Sequence, residues 1–398
     1  MRRPRGRRRA SDAAGKDAAL PRVLVISNVA SFGGGGAVGF RDMVLGLREK
    51  RPDLDVVAVC PRKGNLAADC TERGISTKVG WIPWWAFIQR GRTPHLEAAI
   101  MSLPMWVVLI PGIIQSIVQI IRMRPALVLT NTMTIPSHAI AAKLLGVPHY
   151  WMVREFGKDD HRLWFLLGHH RTIRVINRLS ASVICNSHAV EQALLAIEPT
   201  MRTSVVHPVV DAPLGTPTER LPGDRLRAVL VGYFSQAKGQ RLAIEAIAVA
   251  RDSGVDIELT LVGSGRHKPL REFARSLGVE DLVSINGPTP DLGPHWSASH
   301  VGLMCSQCEA FGRVTVEAMR AGLPVCGTAS GGTPEIILDG VNGLLSPPGD
   351  AKALAANLMA LESDEGLRRR LAASAPDTTR RFQRDRHDDA LATILGLC

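Results

Sequence analysis

Two glutamates eight positions apart are the residues of this sequence whose type and spacing most suggest chemistry. Glu309 follows the apolar segment 300–305, which predicts a buried strand, and Glu317 lies in the segment 316–321, which predicts a helix ended by Gly322. In an open α/β sheet, ligands bind beyond the carboxyl ends of the strands, where a helix N-terminus favours a phosphate or a sugar oxygen. A carboxylate in that crevice can accept hydrogen bonds from vicinal hydroxyls. Taken singly, each glutamate is equally typical of a solvated helix-end charge.

The length and composition indicate two globular domains. The chain has 398 residues, 45% hydrophobic and 21% charged, which is too long for one ordinary core. Seven cysteines, an odd number scattered along the chain, fit a reducing cytoplasm. Cys305 and Cys308 form one C-x-x-C pair, but no second pair of Cys or His stands at zinc spacing nearby, so no metal site is predicted.

The positive charge is concentrated at the N-terminus. The formal net charge is +11, and residues 1–22 contribute +6 of it, from seven Arg and one Lys against two Asp. The body is only mildly basic, so nucleic acid is not expected as a partner. The tail 1–21 is expected to be disordered and to suit anionic headgroups of the inner leaflet of a membrane, at about 1 kcal/mol for each basic residue. A solvated leader or a misassigned start is the alternative. The polar segment 11–17 argues against a signal peptide.

Strands and helices alternate through residues 22–207. Helices are predicted near 37–50, 66–73, 135–145, 161–179 and 188–196, each after a short apolar strand. The glycine loop at Gly34 and Gly35 joins the first strand to the first helix and predicts that a ligand approaches the backbone there. Arg154, Glu155 and His161 follow another strand end, where a doubly wound sheet places functional residues; an ordinary surface loop is the alternative.

Residues 98–121 carry no charge over 24 positions, which is long enough for a transmembrane helix. Pro104 and Pro111 interrupt this stretch, and a plain sheet strand follows it at once. We therefore favour buried or interfacial helices over a membrane span, with Trp81 and the neighbouring tryptophans near a membrane surface.

The segment 208–225 is rich in proline and has no periodicity, which predicts a linker. Five units of strand, glycine turn and helix follow it. Such a series predicts a second parallel sheet with a row of helix N-termini along one edge.

These residues together resemble the retaining nucleotide-sugar glycosyltransferases of the GT-B fold, glycosyltransferase family 4. The resemblance covers nearly the whole chain from Val23 onward and is most specific in the second domain. The motifs that carry it are Glu309-x7-Glu317 with Phe311-Gly312, Val231-Gly232 with Lys238-Gly239, Leu261-Val262-Gly263-Ser264-Gly265, Gly322-Leu323-Pro324-Val325, Gly331-Gly332-x-x-Glu335, Asp339-Gly340-x-x-Gly343 and Pro348-Gly349-Asp350.

The resemblance implies an α/β architecture of two Rossmann-like, doubly wound domains that face a cleft. Residues 22–207 would form the acceptor-side domain and residues 226–376 the domain that binds the nucleotide sugar. The helical end of the chain, 377–398, would cross back onto the first domain.

The family pattern also implies roles for individual residues. Glu317 would bind the ribose hydroxyls, Glu309 the transferred sugar and Lys238 the diphosphate, while Gly34 and Gly35 would approach donor and acceptor from the first domain. The other expected donor contacts are Gly232, Gly263, Phe311, Gly312 and the backbone N–H groups of Val314 and Thr315.

Two positions depart from the family pattern. Tyr233 stands where an Arg is common, and Arg241, Arg313 or the helix N-termini are the alternatives for a second positive group. The histidine often found near the acceptor has no clean counterpart. Arg154, Glu155 and His161 share its neighbourhood, with His161 as the catalytic candidate.

The activity implied is retaining transfer of a hexose-type sugar from a UDP or GDP sugar to a hydroxyl of a glycan or lipid-linked acceptor, in cell-envelope or exopolysaccharide biosynthesis. The nucleotide sugar is the substrate, and neither a cofactor nor a metal is expected. The same architecture could also serve an epimerase or a phosphorylase, and a degenerate transferase could act as a membrane-associated scaffold without catalysis.

Overall fold

The computed structural model describes residues 20–89, 94–211, 217–221 and 223–397, with the side chains of 94–103 excepted. Most of the basic tail predicted at 1–21 lies outside these residues, as do 212–216 and 222 of the proline-rich segment.

The first domain contains a seven-stranded sheet. The strands of this domain are β1 (Arg22–Ile26), β2 (Asp55–Cys60), β3 (Ser76–Val79), β4 (Ala86–Ile88), β5 (Leu127–Asn131), β6 (His149–Val153), β7 (Leu163–Phe165), β8 (Ser182–Cys185) and β9 (Thr203–Val205). Its helices are α1 (Gly35–Lys50), α2 (Asn65–Glu72), α3 (Pro94–Met123), α4 (Ser137–Leu144), α5 (Lys158–His161), α6 (His169–Leu179) and α7 (His188–Ile197). All strands except β4 and β7 join the large sheet, in the order β3-β2-β1-β5-β6-β8-β9 with parallel pairing.

The second domain is built on a six-stranded parallel sheet. Its strands are β10 (Leu226–Val231), β11 (Ile257–Val262), β12 (Val283–Asn286), β13 (Val301–Met304), β14 (Val325–Thr328) and β15 (Gly343–Ser346). The helices that follow the linker are α8 (Gln240–Asp252), α9 (His267–Ser276), α10 (Gly293–Ser297), α11 (Arg313–Arg320), α12 (Thr333–Ile336), α13 (Ala351–Ser363), α14 (Glu365–Thr379) and α15 (Arg384–Ile394). The strand order is β12-β11-β10-β13-β14-β15.

Both large sheets reverse their strand order once, and this reversal positions the site. The first sheet reverses between β1 and β5, and the second between β10 and β13. A crevice opens beyond the carboxyl ends of the strands at such a switch point, and ligands of doubly wound sheets bind there. The prediction of two Rossmann-like parallel-sheet domains is confirmed.

The helix predicted over 161–179 is wrong in its first half. Arg162 has a left-handed backbone (φ 52°) that ends α5, and residues 163–165 form β7, which pairs antiparallel with β4. Leu163 and Phe165 are buried in the cluster that contains Trp85. Their burial against that tryptophan outweighs the local helical pattern, and the helix begins only after Gly168.

The apolar stretch 98–121 lies within one continuous helix of 30 residues, α3, which includes both prolines. Among the described residues, one segment of it, Pro104–Met123, is long and apolar enough to cross a membrane by length and composition alone. Met105, Leu109 and Ile120 are buried against the first domain. One side of this helix is therefore part of a protein core.

The last helix of the chain packs on the first helix. Leu391 of α15 and Leu395, the residue after this helix, belong to the same buried cluster as Val44 and Leu47 of α1. Lys50 and Asp389 form an ion pair between the same two helices. The end of the chain thus contacts the first domain directly.

Candidate functional site

Lys238 and Glu309 meet at the switch point of the second sheet. Lys238 lies in the turn after β10, and Glu309 lies in the loop after β13, the neighbouring strand. The Lys238 Nζ is 2.6 Å from the Glu309 Oε2, and the Ser306 hydroxyl donates to the same oxygen at 2.8 Å. The lysine side chain is 34% exposed and the glutamate 12%, so the pair can be reached from the crevice. The lysine ammonium and a hydrogen-bonding carboxylate are thus held together at the floor of the crevice.

Two glycines let the loops around this pair approach each other. Gly239 has φ 71°, and a Cβ there would lie 1.9 Å from the Cys305 carbonyl oxygen, so the Lys238 turn rests against the end of β13. Gly331 has φ 55°, and its Cβ would lie 2.1 Å from the Glu309 carbonyl oxygen. The next residue, Gly332, donates its N–H to that oxygen at 2.7 Å. Only glycine fits such close backbone contacts.

We expect Gly239→Ala to lower the thermal unfolding midpoint more than Gly254→Ala does. Both glycines have a left-handed backbone (φ 71° and 81°), which costs about 1–2 kcal/mol for an L residue. Only at Gly239 would the new Cβ overlap another backbone atom, because nothing lies within 4 Å of a Cβ at Gly254. Thermal unfolding of both variants measures the difference. Equal midpoints would contradict the close packing of the Lys238 turn on β13.

Glu317 lies in the second turn of α11. Burial raises its pKa, and the Arg313 guanidinium, whose Nε is 4.0 Å from the carboxylate, opposes the rise. The helix begins after Gly312, which has a left-handed backbone (φ 95°). The Thr315 N–H donates to the Gly312 carbonyl at 3.0 Å, whereas the Val314 N–H has no acceptor among the described contacts. Val314 is therefore the better of the two predicted backbone donors.

The hydroxyl of Thr315 is a further feature of this helix start. Its Oγ1 is buried and has no hydrogen-bond partner among the described residues. It lies beside Gly312, whose Cβ would be 3.2 Å away. An unpaired polar atom at a helix N-terminus can pair with a ligand oxygen.

The glycine loop of the first domain faces the second domain across the cleft. A Cβ at Gly35 would lie 3.1 Å from the Arg313 Cδ, whereas nothing lies within 4 Å of one at Gly34. Arg313 also approaches Asp42 of α1, at 3.8 Å, and donates to the Val209 carbonyl. The predicted loop residues and the start of α11 thus line the same opening.

The side chains of Arg154 and Glu155 form hydrogen bonds within the first domain. The Arg154 Nε donates to the Asn131 side chain at 2.7 Å, and burial lowers its pKa to about 10. The Glu155 carboxylate accepts hydrogen bonds from the Thr132 hydroxyl and from the backbone N–H groups of Met133 (2.7 Å) and Arg154 (3.0 Å). Burial raises the pKa of Glu155. Its oxygens are occupied, so a direct contact with an acceptor is not supported by this placement.

His161 is exposed, at the end of the short helix α5. Its Nε2 is 3.8 Å from the Asp160 carboxylate, which itself caps the N–H groups of Phe156 and Gly157 at 2.8 Å each. Burial raises the pKa of the Cys308 thiol to about 12, and Asp160 adds to that rise. Ala310, the neighbour of Glu309, shares a buried cluster with Leu163 and Phe165 of the strand that follows α5, and His161 keeps its place as the acceptor-side candidate.

The remaining predicted donor contacts lie along the same edge of the second sheet. Gly232 and Gly263 end adjacent strands, and the Gly232 carbonyl would be 1.9 Å from a Cβ at Gly263. The Phe311 ring is buried and packs on His207 and Phe382, with ring centroids 5.6 and 5.1 Å apart. Phe311 thus stabilises the loop from below, and only its backbone is available to a ligand.

Of the two arginines considered in place of the missing one at Tyr233, only Arg313 lies in the cleft. The Arg241 guanidinium stacks on the Phe273 ring, 3.5 Å from its centroid. Arg313 contacts both domains and Glu317, as described above. Sequence reasoning named it only as an alternative, since no local pattern shows which way a first-turn side chain points.

Glu335 is an interdomain contact that sequence reasoning missed. Its carboxylate accepts the backbone N–H groups of His188 (2.9 Å) and Ala189 (2.7 Å), at the start of α7, and the His207 Nε2 lies 3.1 Å away. Burial opposes ionisation, but these hydrogen bonds lower the pKa of Glu335. The motif Gly331-Gly332-x-x-Glu335 was the available signal. His188, His207 and Glu335 also form one group of metal-type ligands within 4.8 Å in the described part of the chain, although the carboxylate is already satisfied by donors.

Comparison with known proteins places residues 217–378 in a family model described as glycosyl transferases group 1. The chain is 35% identical over 177 residues to the lipopolysaccharide core biosynthesis glycosyltransferase LpsE of Rhizobium meliloti (strain 1021), which covers 44% of this chain and 51% of that protein. It is 31% identical over 251 residues to a D-inositol 3-phosphate glycosyltransferase of Actinosynnema mirum, covering 58% of this chain and 60% of the relative. The chain spans about half the length of the curated relatives it matches.

Solved structures match the fold over almost the whole chain. Anabaena Alr3699/HepE in complex with UDP has a TM-score of 0.71 at 20% identity, covering 95% of this chain and all of that one (100%). The apo form of the lipopolysaccharide outer core galactosyltransferase WaaB has a TM-score of 0.69 at 17% identity, covering 95% and 100%. These similarities show a shared architecture for both domains and the cleft between them.

Proposed function

We propose that the chain, whose residues 217–378 match the glycosyl transferases group 1 family and whose two domains have the GT-B fold, is a retaining glycosyltransferase. It would move a hexose-type sugar from a nucleoside diphosphate sugar to a hydroxyl of a glycan or lipid-linked acceptor. The observation that carries the proposal is the Lys238–Glu309 pair, 2.6 Å apart at the switch point of the second sheet and open to the cleft.

The proposed role of Lys238 follows from the charge that the reaction creates. Breaking the bond between the anomeric carbon and the β-phosphate oxygen leaves negative charge on the diphosphate. A cation fixed at that point stabilises the transition state more than the ground state. Arg313, 18% exposed at the N-terminus of α11, would supply a second positive charge in place of the arginine missing at Tyr233.

The two glutamates would divide the donor between them. Glu317, deep in α11, would accept hydrogen bonds from the ribose hydroxyls, and Glu309 would hold hydroxyls of the transferred sugar. The acceptor oxygen would attack the anomeric carbon on the face that the leaving group departs from. This attack on the same face would retain the anomeric configuration, and the acceptor proton would pass to a phosphate oxygen. Orientation and exclusion of water favour this path.

We propose UDP as the nucleotide of the donor and the cytoplasm as the location. The Anabaena structures with the same fold are of complexes with UDP or UDP-glucose, which supports UDP over GDP. The six described cysteines are all free thiols, which suits a reducing compartment. A role in cell-envelope or exopolysaccharide biosynthesis is supported by the similarity to a lipopolysaccharide core enzyme.

A thermal-shift screen against UDP, GDP and ADP, followed by incubation with UDP-sugars, tests the proposal. We expect UDP to raise the unfolding midpoint more than GDP or ADP does. A ligand at 100 times its Kd stabilises a folded protein by about 2.7 kcal/mol, which is a measurable shift. We also expect slow release of UDP from one UDP-sugar, accelerated by an acceptor. Conversion of the sugar without any acceptor would indicate an epimerase, and a requirement for phosphate would indicate a phosphorylase. If no nucleoside diphosphate binds, the scaffold alternative replaces the proposal.

A further inference from the structure

The solvent side of α3 is apolar from Trp106 to Ile121. Its exposed side chains recur every three or four residues, which places them on one side of the helix. They are Trp106, Val107, Ile110, Ile114, Val118 and Ile121, each between 39% and 63% exposed. From Val107 to Ile121 this outer face of α3 is about 21 Å long, at 1.5 Å per residue. A surface helix normally turns polar residues to water, so an unbroken apolar face marks a contact surface.

The opposite side of α3 packs in the core of the first domain. Met105, Leu109, Ser116 and Ile120 are buried, and the Ser116 hydroxyl hydrogen-bonds within the first domain, to Gly112 and to His138. A helix that crossed a bilayer would have to leave this packing. The geometry therefore allows the outer face to lie on a membrane and does not favour a span.

Tryptophans border the outer face of α3. Trp81 lies against the helix, where its backbone N–H donates to Gln115 at 2.8 Å and its indole Nε1–H donates to the Val108 carbonyl at 3.2 Å. Trp81 is nevertheless 54% exposed, and Trp106 is 48% exposed. Tryptophan rings with one polar and one apolar edge favour the level of lipid headgroups.

Every charged side chain that the sequence carries from residue 98 to residue 154 is positive. The sequence contains no Asp or Glu from residue 98 to residue 154. Arg122, Arg124 and Lys143 are exposed near the end of α3 and on α4, which packs beside it. None of these three side chains has a hydrogen bond or ion pair with another described residue. A polyanionic surface complements such a border, whereas a second copy of the same cationic face would repel it.

We infer that the outer face of α3 lies in the interfacial region of a bilayer that contains anionic lipids, with the helix parallel to the membrane plane. Apolar side chains of an interfacial helix enter the headgroup and acyl boundary by about 5–10 Å, and cations at its border bind lipid phosphates. No covalent step is involved.

This surface leads to the cleft. α3 ends at Met123 and β5 begins at Leu127, so the helix runs antiparallel to the strand and its N-terminal half lies toward the carboxyl edge of the sheet. Met105 and Leu109 share a buried cluster with Ala310, the neighbour of Glu309. If the protein is a glycosyltransferase, as proposed above, a membrane on this face presents a lipid-linked acceptor to the site. The inference about the acceptor rests on that proposal; the inference about the membrane does not.

Vesicle flotation with the full chain tests the inference. We expect the protein to float with vesicles of phosphatidylcholine and phosphatidylglycerol (3:1) at low salt, and to float much less with phosphatidylcholine alone. The double variant Ile110→Glu/Ile114→Glu should bind the anionic vesicles at least tenfold more weakly. The matched control Leu221→Glu/Leu277→Glu changes one exposed leucine of the linker segment and one of the second domain, and it should bind as the unchanged protein does.

Three results would overturn the inference. One is equal flotation of the α3 variant and the control. Another is a dimer that the α3 variant dissociates, because the face would then be covered by a second copy. The third is a protein that resists carbonate and leaves membranes only with detergent, which indicates a span. Thermal unfolding midpoints, measured on the same variants, show that they are folded. If the protein floats with anionic vesicles but does not transfer sugar from a UDP-sugar, the result contradicts the proposed activity and leaves the membrane inference standing.

Discussion

Lys238→Met is expected to slow sugar transfer by about 10²–10³-fold, with a much smaller loss of affinity for the nucleotide sugar. Methionine keeps most of the side-chain volume and removes the charge. The lysine acts where negative charge grows as the diphosphate leaves, so its loss raises the barrier more than it weakens the ground state. Among the described residues its ammonium pairs only with Glu309, at 2.6 Å, so an incoming phosphate must share the lysine with that carboxylate.

Single-turnover transfer rates and calorimetry with the donor separate the two effects. Arg241→Met is the matched control, since it removes a positive charge from the neighbouring helix α8, where the guanidinium stacks on Phe273. We expect that variant to keep the rate of the unchanged protein. A control as slow as Lys238→Met would contradict the assignment, and so would a lysine variant that loses binding and rate in equal measure.

Glu317→Ala is expected to weaken UDP binding by about 10²-fold or more, because two hydrogen bonds to a charged acceptor contribute roughly 1.5–3 kcal/mol each. Glu309→Ala is expected to keep or slightly raise UDP affinity while transfer is lost. In the proposed arrangement the sugar is the only part of the donor that its carboxylate contacts. Removing that carboxylate also frees Lys238 for the diphosphate.

Calorimetry with UDP, alongside transfer rates, distinguishes the two glutamates. Glu317→Gln serves as a matched control of the same size, since its amide oxygen can still accept one hydrogen bond. We expect its UDP affinity to lie between those of the unchanged protein and Glu317→Ala. If both alanine variants lose UDP binding equally, the division of roles between Glu309 and Glu317 is wrong.

The outcome for α3 illustrates a limit of pattern reasoning. A stretch of 24 uncharged residues is compatible with a core helix, an interfacial helix or a span, because hydropathy does not record which side meets protein. The packing of Met105, Leu109 and Ile120 in the first domain resolves one side of the helix, and the exposed stripe defines the other.

The sequence by itself determined the fold class and the positions of the residues that end each strand. Strand, glycine turn and helix are marked by short-range signals, and a parallel sheet brings its carboxyl ends to one edge. The family resemblance, carried by the motifs at those strand ends, added that Lys238 and Glu309, 71 residues apart, would both contact the donor.

Only the tertiary structure decided where neighbouring side chains point. Glu155 turns inward because the backbone N–H of Met133, 22 residues earlier, is there to be satisfied. Residues 163–165 form a strand because β4 offers an edge to pair with. Arg313 and Glu335 join the two domains through contacts with Asp42 and with the start of α7. Each of these outcomes depends on groups distant in the chain, whose positions no local pattern specifies.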